Sequence, residues 1–559
     1  MRIFNQFSLD HAKGDLFGGV TAAVIALPMA LAFGVASGAG AEAGLYGAVL
    51  VGFFAAIFGG TPTLISEPTG PMTVVFTAVI MSMMAANPEQ GMAMAFTTVM
   101  MTGLIQVLFG VLKLGRYVTM MPYTVISGFM SGIGFILIII QLPPLLGYAS
   151  PPGGVLGSLR ALPDFIAQIN PGEATLGGVA LAILLLMPRG WRRFMPPQLL
   201  ALVVGTLLAI FVLGSGAYRA IGEVPGGLPS IQLPTFTQEQ WQHMVVDAIV
   251  LALLGSIDAL LTSVIADSLT RTQHDSDKEL IGQGLGNLAS GLCGGLPGAG
   301  ATMGTVVNIQ TGAHTALSGL TRAVILGIVV FGAGALVEPI PKAVLAGIAI
   351  KVGIDIIDWG FLRRAHLVSV RGALIMYGVI AMTVFVDLIT AVGIGLFVAN
   401  VLTIRRLADL QSEGVKLLGL SEPVDDDMQC KNGTEEERKI LSDPGNGIAL
   451  LCLSGPLIFG AAKAITRLQL EIAGARSLVV DLTDVPHLGV TTSLAIEGAV
   501  RDAASHGCRV YLAGLQPQAR KRLEALGLSR VVPAERWVDA RAKALKRAVA
   551  ERAGQTPSA

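Results

Sequence analysis

Charged side chains are scarce in this sequence of 559 residues. Asp, Glu, Lys and Arg together make up 14% of the chain, and hydrophobic residues make up 53%. A soluble globular protein carries roughly a quarter charged residues, so the composition predicts a protein that lies largely within a lipid bilayer. The formal net charge is zero, which argues against a nucleic-acid partner.

Cysteine and histidine are also infrequent, with four and seven residues. The cysteines show no paired spacing and the histidines form no cluster, so the sequence predicts neither a disulfide framework nor a zinc or catalytic metal site. It contains no catalytic dyad and no glycine-rich loop that would bind a nucleotide cofactor. We therefore expect a protein that is not an enzyme.

Long apolar segments are what the sequence does contain, between about residues 16 and 404. A membrane-spanning helix needs about 20 apolar residues, and the third and tenth segments are shorter than that. The division of the last stretch into two spans depends on Asp387, which would otherwise lie in mid-membrane. The fourteen predicted spans are roughly 16–35, 42–58, 70–85, 92–112, 122–142, 174–188, 197–213, 244–266, 280–294, 302–311, 319–336, 340–356, 371–387 and 388–404.

The basic residues between these spans are distributed unequally. One set of loops carries only Arg160, Arg219 and Lys342. Cytoplasmic loops are enriched in Lys and Arg, so the bias predicts a multi-pass protein of the plasma (inner) membrane with both termini in the cytoplasm. The basic residues that we assign to the cytoplasmic side are Lys113, Arg116, Arg189, Arg192, Arg193, Arg271, Lys278, Arg322, Arg363, Arg364, Arg371, Arg405 and Arg406.

Two segments rich in Gly and Pro resemble each other in the two halves of this region. They are GGTPTLISEPTGPMTVV (59–75) and GGLPGAGATMGTVV (294–307). They coincide with the third and tenth spans, so that corresponding positions are offset by seven spans, an odd number. This arrangement predicts an inverted repeat of seven plus seven spans, and interrupted segments at matching positions indicate the binding site of a secondary transporter.

The beginnings of these two spans are the candidate anion site. A helix N-terminus offers unpaired backbone N–H groups and the positive end of the helix dipole. Thr69 suits an N-cap position with Pro71 in the first turn, and the tenth span would begin at Ala301 and Thr302. We expect Thr69, Gly70, Ala301 and Thr302 to contact the anion. The alternative is that these stretches are only helix kinks or packing sites.

Asp258 lies within the eighth predicted span, where a carboxylate is costly and indicates a functional site. Thr262 follows four residues later on the same helix face. This carboxylate and hydroxyl, together with backbone carbonyls near Gly300 and Thr302, would form an all-oxygen site for a hard cation, most simply Na⁺. Two alternatives stay open, a proton carried by Asp258 and a structural ion pair between Asp258 and Lys351. Glu67 is expected at a helix terminus or a domain contact.

The composition changes after residue 406. We divide the chain into a transmembrane anion-transport domain (1–406), a linker with a first strand at Val415–Leu420 (407–446), and a soluble domain (447–559). GIALLCLSG, SLVVDL and RVYLAGL are typical of buried strands, and helical patterns follow at 459–473, 491–506, 517–527 and 536–552. Alternating strands and helices predict an α/β sheet covered by helices.

These features together resemble the SulP anion-transporter family with a C-terminal STAS domain. The resemblance rests on MPYTVISGFMSGIG (121–134), the two interrupted segments and the soluble domain. Within the family, GDLFGGVTAAVIALPMALAFG (14–34), GSIDALLTSVIADSLTRT (255–272) and AVLAGIAIKVGIDIIDWGFL (343–362) are most similar to the cyanobacterial sodium-dependent bicarbonate transporters.

The resemblance implies a helical membrane protein with core and gate domains, elevator-like motion, and a homodimer formed through the STAS domain. It implies bicarbonate as substrate, Na⁺ bound by Asp258 and Thr262 as the coupling ion, and Na⁺/bicarbonate symport as the activity. Many animal members carry an arginine near the start of the tenth span, where this sequence has Ala301-Thr302-Met303-Gly304. A bound Na⁺ could replace that missing charge.

Two other functions remain possible at this point. One is a proton-coupled sulfate or dicarboxylate transporter of the same family, and the other is an anion sensor that signals through the STAS domain. In sigma-factor-antagonist STAS domains a serine is phosphorylated, and Val490 takes that position here, followed by Thr491 and Thr492. We therefore expect an assembly module, with regulation by nucleotide or by phosphorylation of Thr491 as the alternative.

Overall fold

The computed structural model describes residues 4–5, 9–118, 122–151, 153–188, 191, 195–214, 217–222, 229–332, 337–386, 388–419, 434–458, 460–472 and 474–552. The chain divides into two compact units, Met1–Ala399 and Asn400–Ala559. Each unit contains its own cluster of buried apolar side chains.

The first unit is helical apart from two short strands. The helices that begin in it are α1 (Ala12–Ser37), α2 (Ala41–Phe58), α3 (Gly70–Ala86), α4 (Gly91–Val111), α5 (Gly115–Val118), α6 (Tyr123–Leu145), α7 (Gly154–Ala167), α8 (Pro171–Leu186), α9 (Pro197–Leu208), α10 (Trp241–Thr270), α11 (Ser276–Leu292), α12 (Thr302–Gln310), α13 (Leu317–Gly332), α14 (Lys342–Ile356), α15 (Trp359–Val368), α16 (Val370–Phe385) and α17 (Leu388–Glu413).

Each of the fourteen predicted apolar segments overlaps one of these helices. By length and composition, α1, α2, α4, α6 and α10 could each cross a membrane, and the bent pair α7–α8 could form a sixth span. At about 1.5 Å per residue, α12 is only about 14 Å long, whereas α3 reaches about 26 Å. The number of spans and the inverted repeat stay predictions, and Asp387 lies outside the described residues.

Arg322, a basic residue that we assigned to a cytoplasmic loop, lies in the protein interior. Arg322 is inside α13, and its side chain is fully buried. It therefore cannot contribute to the positive charge of a loop, and that part of the sequence interpretation is wrong. The reason is tertiary, because an acidic partner from a distant segment compensates the buried charge. Arg189, Arg192 and Arg193 lie outside the described residues.

The two interrupted segments meet in a short antiparallel ribbon. Strand β1 (Ser66–Glu67) pairs with β2 (Ala299–Gly300), with Ser66 opposite Gly300 and Glu67 opposite Ala299. Gly and Pro keep both segments out of a regular helix, so their backbone groups bond to each other instead. Helices α3 and α12 begin directly after the ribbon, and the strands that lead into them run in opposite directions.

The second unit contains a five-stranded sheet in the order β3-β4-β5-β6-β7, in which β3 is antiparallel to β4 and the other neighbours are parallel. Helices cover both faces, as the alternating pattern predicts. Its elements are β3 (Val415–Leu418), α18 (Glu435–Ser442), β4 (Ile448–Ser454), α19 (Gly460–Ile472), β5 (Ser477–Asp484), α20 (Val490–Ser505), β6 (Arg509–Ala513), α21 (Pro517–Ala525), β7 (Trp537–Val538) and α22 (Arg541–Arg552).

The beginning of the predicted linker is helical. Helix α17 continues without a break to Glu413, so residue 406 lies inside a helix rather than at its end. The first strand follows at once, at Val415–Leu418. Residues 405–413 extend the apolar helix with charged side chains. From composition alone, this change is interpreted as a domain boundary.

Candidate functional site

A cavity of about 520 Å³ lies where the ribbon, α3, α10, α12 and α14 meet. Six of the seven residues predicted for the anion and cation sites line it, namely Thr69, Gly70, Asp258, Gly300, Ala301 and Thr302. The seventh, Thr262, is buried beside the lining residues and bonds to two of them. The fold therefore brings together residues from three separate parts of the sequence.

Helix α3 begins at the predicted position, with Thr69 as its N-cap residue and Pro71 in the first turn. The Thr69 carbonyl accepts the Thr73 N–H at 2.9 Å, but the Thr69 hydroxyl does not cap the helix. Its Oγ1 is buried and has no hydrogen-bond partner among the described residues. An unpaired buried hydroxyl beside a helix N-terminus is available to a ligand.

Helix α12 begins at Thr302 with Ala301 as its N-cap residue. The Ala301 N–H donates to the Ile65 carbonyl at 2.8 Å, which fixes the start of this helix to the segment that leads into α3. Neither N-cap has a side-chain cap. The N–H groups in the first turn of a helix lack intrahelical partners, and the positive end of the helix dipole favours an anion there. Gly70 and Thr302, the first residues of α3 and α12, both line the cavity.

Asp258 and Thr262 lie on α10, one turn apart. The Thr262 hydroxyl is 3.0 Å from both the Gly300 carbonyl oxygen and the Thr302 hydroxyl. The Asp258 Oδ2 atom is buried without a hydrogen-bond partner in the described part of the chain. The side-chain and carbonyl atoms that these four residues could offer to a bound ion are all oxygen atoms, the type of ligand that hard cations prefer.

Gly300 makes this approach possible. A Cβ atom at residue 300 would lie 3.0 Å from the Cα atom of Ala259 in α10, so a side chain would require β2 and α10 to move apart by a few tenths of an ångström. The absence of a side chain lets the Gly300 carbonyl reach Thr262.

The alternative pairing of Asp258 with Lys351 is wrong. The Lys351 ammonium group binds both carboxylate oxygens of Asp355 at 2.5 Å, one turn along α14. Spacing of four residues makes Asp355 the nearer partner. Asp258 is thus left without a basic partner among the described residues.

Glu67 belongs to β1 rather than to a helix terminus, and its carboxylate is bonded to Arg322 of α13. The Arg322 guanidinium also donates to the Ser66 carbonyl at 3.0 Å and to the Ala48 carbonyl of α2 at 3.1 Å. Glu67 lines the cavity. A basic side chain therefore does lie near the helix ends, but Glu67 neutralises it.

Helix α11 contributes a polar face that the sequence interpretation missed. Gln283 donates to the Ser66 hydroxyl at 2.6 Å, and Asn287 exchanges two hydrogen bonds with the Gly298 backbone at 2.7 and 3.0 Å. Glu279 accepts the Gly60 and Thr61 N–H groups at 2.8 Å. The signal was the spacing of four residues between Glu279, next to the predicted span 280–294, and Gln283 and Asn287 inside it, since polar residues on one face of such a helix have a partner.

The region of the STAS-like domain that corresponds to the phosphorylated serine lies at the start of α20. Val490 is its first residue and is 66% exposed. Thr491 is exposed, whereas Thr492 is buried and donates to the Ile458 carbonyl at 3.2 Å. Of the two threonines, only Thr491 is thus placed for modification, and the regulatory hypothesis stays a prediction.

Comparison with known families assigns the fold. Residues 12–379 match the sulfate permease family, and residues 443–542 match the STAS domain. The chain therefore belongs to the sulfate permease family and carries a C-terminal STAS domain, as the sequence predicts. It is a transporter of a helical membrane-protein fold, not an enzyme.

The chain is also similar to individual transporters. The chain is 61% identical to the bicarbonate transporter BicA of Synechocystis over 98% of this chain and 96% of the relative. A solved transmembrane domain of a cyanobacterial bicarbonate transporter BicA is 66% identical and covers 70% of this chain and all of its own, with a TM-score of 0.67. The murine anion transporter Slc26a9, solved in the inward-facing state, shares the fold at 18% identity and a TM-score of 0.82, over 97% of this chain and 92% of its own.

Proposed function

We propose that this protein transports bicarbonate together with Na⁺ into the cell. The high identity to transporters named for bicarbonate supports the substrate, because the identity extends over nearly the whole chain. The residues themselves support an anion and a cation that bind side by side. We also propose the division into a membrane domain, a linker and a soluble domain that the sequence predicts. The membrane domain then extends to residue 413, where α17 ends.

One observation carries the coupling to a cation. Three carboxylates line the cavity, those of Glu67, Asp258 and Asp355. Glu67 is paired with Arg322 and Asp355 with Lys351, whereas Asp258 has no basic partner among the described residues. A buried carboxylate without a compensating charge is costly, so a bound monovalent cation would stabilise it.

The groups around Asp258 suit Na⁺. The Thr262 and Thr302 hydroxyl groups and the Gly300 carbonyl supply neutral oxygen atoms, and the Asp258 carboxylate supplies the charge. A site of this composition selects hard cations. Na⁺ bound there would add positive charge near the starts of α3 and α12, where Glu67 neutralises the basic side chain of Arg322.

Bicarbonate would then bind to the backbone N–H groups of Gly70 and Thr302 and to the Thr69 hydroxyl, with Ala301 in contact. One Na⁺ and one bicarbonate together add no net charge to the site, which keeps only the charge of Asp258. This lowers the cost of moving the loaded site through the membrane. The sodium gradient would drive uptake.

We further propose that the core helices move against the gate helices in an elevator-like manner. Na⁺ and bicarbonate bind to helices of one packed group, which could carry the site as a unit. The protein would lie in the plasma (inner) membrane with both termini in the cytoplasm, and it would form a homodimer through the STAS domain.

The test is uptake of radiolabelled bicarbonate by the full chain in a host without its own importers, with external Na⁺ or choline. We expect uptake only with Na⁺. In Asp258→Asn, sodium-dependent uptake should fall by about 100-fold or more, because the amide lacks the charge that holds the cation. Immunodetection in the membrane fraction establishes equal amounts of protein.

Asp247→Asn is the matched control, since Asp247 lies on the same helix but lines a different cavity. We expect it to retain most of the uptake. Sodium-dependent uptake by Asp258→Asn would refute the cation site. Uptake that ignores Na⁺ and rises as the external pH falls would favour proton coupling instead, and uptake of sulfate in place of bicarbonate would refute the substrate.

A further inference from the structure

A second and larger cavity of about 830 Å³ adjoins the first. It is lined by residues of α1, α8, α9, α12 and α14 and by the loop before α9. Met303, Val307 and Asp355 line both cavities, so the two spaces meet along α12 and α14. We call the larger one the vestibule.

The vestibule is lined mainly by apolar side chains and neutral polar ones. Lys351 and Asp355 are its charged lining residues within the described part of the chain. Lys351 is also the sole basic side chain, among those described, that lines either cavity. A lysine in an apolar helix beside a substrate site is costly unless it is paired or functional.

The Lys351–Asp355 pair is not sealed in the protein interior. The Lys351 side chain is 19% exposed and that of Asp355 is 39% exposed. An ammonium group has three N–H donors, and the Asp355 carboxylate does not use all of them. An oxyanion in the vestibule can therefore bind to Lys351 beside Asp355 or in its place.

The charge of Asp355 gives such a contact a role. An anion that moves from the vestibule to the helix ends passes Asp355, which lines both cavities. Carboxylates repel it strongly where water is scarce. A positive group at the entrance offsets this repulsion and raises the local anion concentration.

We propose that Lys351 forms a transient binding site for bicarbonate, at which the anion exchanges with Asp355 before or after it occupies the helix ends. The proposal rests on the proposed function above. The ligand class is a small monovalent oxyanion, and Asp355 acts as the internal competitor that keeps the residence time short.

The experiment uses the full chain in proteoliposomes, with saturating Na⁺ and bicarbonate varied on either side of the membrane. For Lys351→Met we expect the apparent KM for bicarbonate to rise about 5- to 10-fold on the side to which the vestibule opens. Its dependence on ionic strength should weaken, as occurs when a steering charge is removed. The apparent KM for Na⁺ should stay within twofold of the parent.

Asp355→Asn tests the same idea in the opposite direction, because it frees Lys351. We expect a lower bicarbonate KM and a lower maximal rate, since the anion leaves more slowly. Lys351→Arg keeps the positive charge, so its apparent KM for bicarbonate should be close to that of the parent. Lys342→Met removes a lysine from the start of the same helix, away from both cavities, and should change neither value.

An unchanged KM on both sides in Lys351→Met would overturn the proposal, as would equal and parallel losses in Lys351→Met and Asp355→Asn, which indicate a purely structural pair. Failure of the parent protein to take up bicarbonate with Na⁺ would instead refute the proposed function. The two failures are therefore distinguishable.

Discussion

The position of Asp258 in the sequence is enough to indicate a functional role for this residue. Its position in an apolar segment identified it from the sequence, because a carboxylate is seldom placed there without a role. The structure adds that Thr262 contacts the Gly300 carbonyl and the Thr302 hydroxyl. The contribution of the Thr262 hydroxyl group to the affinity for the cation can therefore be tested.

Replacement of Thr262 by Val removes an oxygen atom at nearly constant volume. We expect the apparent KM for Na⁺ to rise by about tenfold, because one buried polar contact contributes about 1–1.5 kcal/mol. The bicarbonate KM at saturating Na⁺ should change little. The measurement is the initial rate of bicarbonate uptake as a function of Na⁺.

Thr262→Ser keeps the hydroxyl and serves as the control, with a Na⁺ dependence close to that of the parent. Equal Na⁺ dependence in the valine and serine variants would show that Thr262 has no part in the cation site.

At the scale of elements, the β1–β2 ribbon holds the site together. It joins the segments that lead into α3 and α12, and Gln283 and Asn287 of α11 bond to it from one side. Arg322 connects α13 to β1 and α2. The position of both helix starts therefore depends on buried polar contacts rather than on the helices themselves.

The buried Arg322–Glu67 pair predicts a strong effect on stability. Arg322→Met leaves the Glu67 charge buried without a partner, which typically costs about 3–5 kcal/mol. We expect the midpoint of thermal unfolding of the purified protein to fall by about 5 °C or more. The double variant Glu67→Gln/Arg322→Met should recover part of this loss, because no isolated charge remains.

Arg363→Met, on an exposed part of α15, is the control and should leave the midpoint nearly unchanged. A double variant that is no more stable than Arg322→Met would argue that the loss comes from packing and from the bonds to Ser66 and Ala48, not from the Glu67 charge.

At the scale of the whole molecule, the chain forms two units with separate apolar cores. The described residues that line the site cavity and the vestibule belong to the first unit. We therefore expect the substrate affinities to depend on the first unit.

Removal of residues 414–559 should leave the substrate affinities intact. For protein confirmed in the membrane, we expect the apparent KM values for Na⁺ and bicarbonate to stay within about twofold, while the maximal rate or the amount of protein falls. The cut follows Glu413 so that α17 stays complete. Loss of all uptake at normal protein levels would favour a membrane part that only senses an anion.

The sequence by itself determined the class of protein and most of the candidate site. Scarce charge, repeated apolar segments and two stretches broken by Gly and Pro are local signals, and a carboxylate in an apolar helix is one as well. The start of α3 at Gly70, with Thr69 before it and Pro71 in the first turn, agrees with residue preferences at helix N-termini. The start of α12 at Thr302 has no such signal, because its N-cap residue is Ala301.

Only the tertiary structure decided which charges are compensated. Arg322 was assigned to a loop, and only the structure places Glu67 against it. The pair of Lys351 and Asp355 is by contrast a local contact over four residues of one helix, which spacing can indicate. For a charge whose partner lies far away in the sequence, composition and spacing give the cost of burial but not the partner. Glu67 and Arg322 are 255 residues apart in the sequence, so only the folded chain brings such partners into contact.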